Sequence, residues 1–200
     1  MNPSHVLSFW FRSARRDTLI RWLANLEIGM PGKFNLIATT LRGQEPLGVA
    51  SLTSILSELN DPDPKVEITE IHGVITAHTS LDPFHVIERI REMATREPWK
   101  VSGLMRVIPV ERVVETKLER IAEAAESLKG RIPPEETYKV VVEKRHTQLS
   151  SREIIEAVAS KIDRKVNLER PDWIVLIEVL GGLTGVSVLK PDQVLSLVKV

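Results

Sequence analysis

TYKVVVEKRHTQLSSREIIEAVASKI, residues 137–162, decides the fold of this chain. Thr137 to Lys144 is an apolar run of strand length, and from Ser151 onward Ile154, Ile155, Val158, Ala159 and Ile162 recur at helical spacing. A strand therefore hands over to an amphipathic helix across the corner from Arg145 to Arg152. Ser150 followed three positions later by Glu153 predicts a capping box, in which the serine hydroxyl accepts the N–H of Glu153 and the glutamate accepts that of Ser150. Leu149 and Ile154 stand where a hydrophobic staple would fix how the chain enters the helix. Lys144, Arg145, His146 and Arg152 gather beside the positive end of the helix dipole, where unpaired N–H groups favour an anion. The corner is a candidate phosphate site.

Downstream of it, Val166 and Leu168 predict a short strand before Pro171. Trp173–Leu180 and Leu183–Leu189 are consecutive apolar strands around Gly181, Gly182, Thr184 and Gly185, so a central sheet is implied. Upstream, Val114, Leu118, Ile121, Ala125 and Leu128 read as the stripe of a long helix ended by Gly130, Pro133 and Pro134. Pro109 marks a boundary before it.

The preceding stretch starts with a strand from Phe34 to Thr40 and a helix opened by Pro46 and stopped at Asp61–Pro64. A strand from Val66, the tight connection His72–Gly73 and a strand from Val74 to His78 make a hairpin. Asp82 and Pro83 cap a helix carrying Val86, Ile87, Ile90 and Met93, and Gly103 to Ile108 is a fourth strand. The order β-α-β-β-α-β is that of a ferredoxin-like domain. The expected class is thus α+β, divided into an amino-terminal helical extension (1–32, with a helix over residues 13–26), a ferredoxin-like domain (33–109), an α/β domain with a central mixed sheet (110–190) and a carboxy-terminal tail (191–200).

The 200 residues carry 27 basic and 27 acidic side chains, which argues against a uniformly basic nucleic-acid protein. The distribution is less even than the sum: Lys139, Lys144, Arg145, Arg152, Lys161, Arg164 and Lys165 make the second half basic, whereas Glu45, Glu58, Asp61, Asp63, Glu67 and Glu70 face only Lys65 in the first. The absence of cysteine excludes disulfides, thiolate metal sites and a thiol nucleophile, and fits a reducing compartment. No apolar run reaches the length of a membrane span, and arginines stand where a signal peptide needs its apolar core, so a cytoplasmic setting without a membrane partner is expected.

Catalytic chemistry finds little to work with. Gly181, Gly182 and Gly185 lack the spacing and following helix of a dinucleotide loop and read as hairpin geometry. His72 and His78 have no third ligand nearby and His5 and His85 are isolated, so neither metal nor other cofactor is expected. Ser150 or Ser151 beside His146 is the nearest approach to a nucleophile and base, but the cap already uses Ser150 and no acid orients His146. A non-catalytic protein is the expectation.

The run Val142–His146, Ser150–Ile155, Ala159 and Ile162, followed by Val166, Asn167, Leu168, Pro171, Asp172 and the strands Ile177–Val179 and Gly185–Val188, resembles the THUMP domain of tRNA-modifying proteins. Thr39, Arg42, Gly43 and Glu45, with Arg106, Ile108 and Pro109, are similar to the ferredoxin-like partner found beside it. Where the family often has an acid, this chain has Asn167. With neither a pyrophosphatase-like nor an S-adenosylmethionine-binding domain in the sequence, the pattern resembles the stand-alone adaptor of tRNA cytidine acetylation. The resemblance implies a tRNA-binding adaptor that presents the 3′ end and acceptor stem to a separate RNA acetyltransferase for N4-acetylcytidine formation. An accessory subunit of another tRNA-modifying enzyme and an RNA-independent protein scaffold are the alternatives. The expected RNA contacts are Lys144, Arg145, His146, Ser151 and Arg152 at the corner, extended by Lys161 and Lys165 and by Arg106, Arg112 and Lys117 from the adjoining faces.

Overall fold

The computed structural model describes residues 34–198, so the amino-terminal extension and its expected helix lie outside the described residues. The first part runs β1 (Leu36–Thr39), α1 (Glu45–Glu58), β2 (Lys65–Ile68), β3 (Val74–His78), α2 (Pro83–Arg96) and β4 (Arg106–Pro109), the β-α-β-β-α-β order. Its sheet is antiparallel, with β4, β1, β3 and β2 side by side in that order. Asp82 caps α2 as expected, its carboxylate accepting the N–H of Phe84 at 2.8 Å ahead of Pro83. Asp61 ends the passage out of α1 by accepting the hydroxyls of Thr79 and Ser80, which tie that turn to the end of β3.

The second part runs β5 (Arg112–Glu115), α3 (Leu118–Leu128), β6 (Thr137–Arg145), α4 (Ser151–Ala159), β7 (Lys165–Val166), β8 (Trp173–Leu180) and β9 (Leu183–Leu189). Its sheet is mixed, in the order β5-β9-β8-β6-β7, with β6 parallel to both β7 and β8. Gly181, at φ 63°, and Gly182 join β8 to β9 in a two-residue hairpin; only the first central position needs the left-handed conformation, as in a type II′ turn.

Two expectations are corrected. Val114 does not begin the long helix: it lies in β5 opposite Thr184 of β9, and α3 starts at Leu118. Leu168 falls outside the short strand, which is Lys165–Val166, and stays largely exposed. The carboxy-terminal tail expected from residue 191 contains a strand, β10 (Leu195–Ser196), which returns to the first sheet and pairs with β4, burying Leu195 in the first core.

Strand alternation builds four layers. Leu36, Ala38, Ile75 and Val107 pack beneath α1 and α2. Val175, Ile177, Val186 and Val188 pack beneath α3 and α4. The opposite faces of the two sheets, carrying Ile37, Val74 and Ile108 on one side and Leu176 and Leu189 on the other, share a third apolar cluster. Arg131, stacked on the ring of Phe84 at 4.8 Å and paired with Glu111, bridges the two halves at the rim. No helix of the described residues is long and apolar enough to cross a membrane.

Candidate nucleic-acid interface

The corner is built as its sequence dictates. Ser150 Oγ accepts the N–H of Glu153 at 3.1 Å, and the Glu153 carboxylate accepts the N–H of Ser150 at 2.9 Å. The Ser150 N–H donated to it, then the Ser150 hydroxyl and the Lys144 charge nearby, hold the Glu153 carboxyl below the usual carboxylate range. Leu149 packs onto the core that contains Ile154, as a staple requires. His146, exposed, takes φ 55°, the left-handed turn by which the chain leaves β6, and Lys144 Nζ donates to the Leu149 carbonyl at 2.8 Å across that turn. Ser150→Ala is expected to cost about 1 kcal/mol and lower the melting temperature by about 2–4 °C, read by thermal unfolding.

The box occupies two of the N–H groups at the start of α4 and leaves those of Ser151 and Arg152 without an acceptor among the described residues. Arg152 Nε pairs with Glu156 at 2.7 Å, one turn on, with its side chain 87% exposed. Such a pair is worth only about 0.3–0.5 kcal/mol, so the guanidinium is readily exchanged to a phosphate.

Arg145 is held differently. Its Nη1 donates to the Glu178 carboxylate at 2.9 Å, and Glu178 is only 1% exposed, on the face of β8 turned toward the first sheet. Burial pushes the Glu178 carboxyl up, opposed by the charges of Arg145 and Arg106. Its Oε1 has no hydrogen-bond partner among the described residues. Glu178 is not among the expected RNA contacts, and the signal that marks it is a lone acid inside the apolar run IVLIEVL (174–180).

The remaining candidates divide. Arg106 lies on β4 opposite Thr39, and its charge acts on the Glu178 carboxyl. Lys117 stands beside the β8–β9 turn, since Thr116 N–H donates to Gly182, and Gly181 N–H in turn donates to the Arg145 carbonyl; it pairs with Glu115. Arg112 lies on the edge strand β5 and donates to the Glu111 carbonyl. Lys165 is paired in register with Thr137, at the opposite end of β6 from Arg145 and about 26 Å along the strand. Lys161 follows the far end of α4 and approaches Glu126 at 3.6 Å. These two lysines therefore do not continue the corner directly. Among the described residues no three histidine, aspartate or glutamate side chains gather as a metal site needs.

Residues 115–189 match the family model of the THUMP domain. This segment is a THUMP domain. It contains the whole corner, together with Glu178 and the β8–β9 hairpin. No curated protein matches the chain. Among solved structures, PH1313 from Pyrococcus horikoshii superposes with a TM-score of 0.60 at 21% identity, covering 79% of this chain and 55% of that one. TrmN from Thermus thermophilus gives a TM-score of 0.53 at 18% identity, over 78% and 45%. A 4-thiouridine synthetase in complex with RNA and ATP gives a TM-score of 0.46 at 12% identity, over 79% and 42%. At these identities the likeness to PH1313 and TrmN is one of fold, and it extends through both sheets. The chain spans about half the length of each of these proteins.

Proposed function

We propose that this chain is a non-catalytic, cytoplasmic tRNA-binding adaptor that presents the 3′ end and acceptor stem of tRNA to a separate RNA acetyltransferase forming N4-acetylcytidine. In this reading the β-α-β-β-α-β half is the ferredoxin-like partner of the THUMP domain, and the two halves make one RNA-facing body. The observation that carries it is the corner inside the THUMP domain. There Lys144 and Arg152 stand at a helix start whose Ser151 and Arg152 N–H groups have no acceptor among the described residues, an arrangement suited to phosphate, with Arg145 on the other face of the same strand end and the exposed ring of His146 available to an unpaired base. The terminal nucleotides of tRNA are single-stranded, which is the form of RNA that side chains read most directly.

Binding of unfractionated tRNA to the full chain, titrated against salt, tests the reading. Affinity is expected to fall as salt rises, and to weaken with Arg145→Ala, with Arg152→Glu and on trimming the tRNA 3′ end. Unchanged binding by both variants would overturn it. Deleting the gene and profiling tRNA by mass spectrometry tests the reaction served: loss of N4-acetylcytidine supports the adaptor, and an unchanged profile rejects it. A nuclease-resistant protein complex containing no tRNA would instead favour a scaffold.

A further inference from the structure

Glu178 is a charged side chain that the apolar layer between the sheets has no evident reason to contain. Its register neighbours are Glu143 on β6 and Gly185 on β9. A Cβ at Gly185 would stand 3.1 Å from a Val110 methyl, so the glycine lets the first sheet close over this side of the carboxylate. One oxygen takes the Arg145 guanidinium at 2.9 Å and the other is buried with no partner among the described residues. A buried ion pair seldom stabilises a fold more than apolar residues of the same size would, so its contribution is better sought in what it orients.

What it orients is Arg145. The main chain of this residue is fixed by the bond from Gly181 N–H to its carbonyl at 3.0 Å, and its guanidinium by Glu178. A guanidinium has five N–H donors in a rigid fork, and among the described residues only one of them is taken. An arginine held at both ends has already lost the rotamer freedom that anion binding would otherwise have to remove. We propose that Glu178 is a positioning residue for RNA binding, presetting the Arg145 fork at the corner for a phosphate oxygen of the bound RNA. The charge of Arg106, on β4 of the first sheet, also acts on this carboxylate. The inference rests on the RNA-binding reading above.

The sign of one substitution separates positioning from simple charge. Glu178→Gln removes a negative charge near the RNA site, so electrostatics alone predicts tighter tRNA binding; positioning predicts weaker binding. With the full chain and unfractionated tRNA, Arg145→Ala is expected to weaken binding about five- to tenfold and reduce the salt slope by about one phosphate contact. Glu178→Gln is expected to weaken it about two- to fivefold, and the double variant to bind no worse than Arg145→Ala alone, a non-additivity that a merely structural role would not produce. Arg145→Lys keeps the charge and leaves Glu178 in place but loses the fork, and is expected to weaken binding to a similar extent. If Arg145→Ala weakens binding while Glu178→Gln leaves it unchanged or tightens it, positioning is overturned and the RNA reading stands. The same holds if Arg145→Lys binds as the wild type does. If Arg145→Ala has no effect, Arg145 does not bind RNA and positioning falls with it.

Discussion

Leu176→Ala is expected to destabilise the protein by about 2–5 kcal/mol and to lower its melting temperature by about 5–15 °C, in one cooperative transition. Leu176 is 2% exposed and projects from β8 into the cluster shared with Ile37, Val74 and Ile108 of the first sheet. Truncating it leaves a void that close-packed strands on both sides cannot collapse to fill, and the cost is felt by both halves together. The described residues form one compact unit, and β10 already crosses from the second part to complete the first sheet. Calorimetry checks this directly. Two separated transitions, only one of them moved by the substitution, would show that the halves fold independently. Leu168→Ala is the control: 72% exposed, it is expected to change stability by less than about 0.5 kcal/mol.

The contrast between Leu176 and Leu168 also marks what the sequence makes legible. Features decided by neighbours along the chain are readable. The Ser150–Glu153 box, the Asp82–Pro83 cap and the bounds of β8 and β9 around Gly181–Gly182 each rest on a few adjacent residues. Features decided by distant partners are not. Val114 sits at helical spacing from Leu118 and Ile121, and only the ladder to β9 makes it a strand. Leu195 and Ser196 lie in a five-residue apolar run, VLSLV (194–198), too short to settle its own state, and pairing with the edge of β4 makes it a strand. The same limit governs the site. The basic residues of the corner are visible in one short run, whereas the commitment of Arg145 to Glu178, 33 positions on, depends on the parallel pairing of β6 with β8. Lys161 and Lys165 look continuous with the corner in sequence, yet α4 and β6 carry them to its far end.

That separation determines which charge reversals disrupt RNA binding. Lys144→Glu combined with Arg152→Glu is expected to weaken tRNA binding by about 10- to 100-fold and to reduce the salt slope by about two phosphate contacts, because both changes replace a cation at one helix start. The fold is expected to tolerate the pair. Arg152 is the second residue of α4, where an acid suits the helix dipole, and the new repulsion with Glu156 amounts to about 0.2–0.5 kcal/mol. Lys144→Glu gives up its bond to the Leu149 carbonyl, but the capping box still sets the turn. Lys161→Glu with Lys165→Glu alters net charge equally at the other end of α4 and β6, some 13 to 26 Å away by element length, roughly. Debye screening at physiological salt acts over about 8 Å, so the distant pair is expected to weaken binding by less than about threefold. Equal losses from the two double variants would mean that tRNA responds to the overall field of the domain. A loss confined to the corner would make the start of α4 the docking point, and would orient any partner enzyme toward the Arg145 end of the sheet.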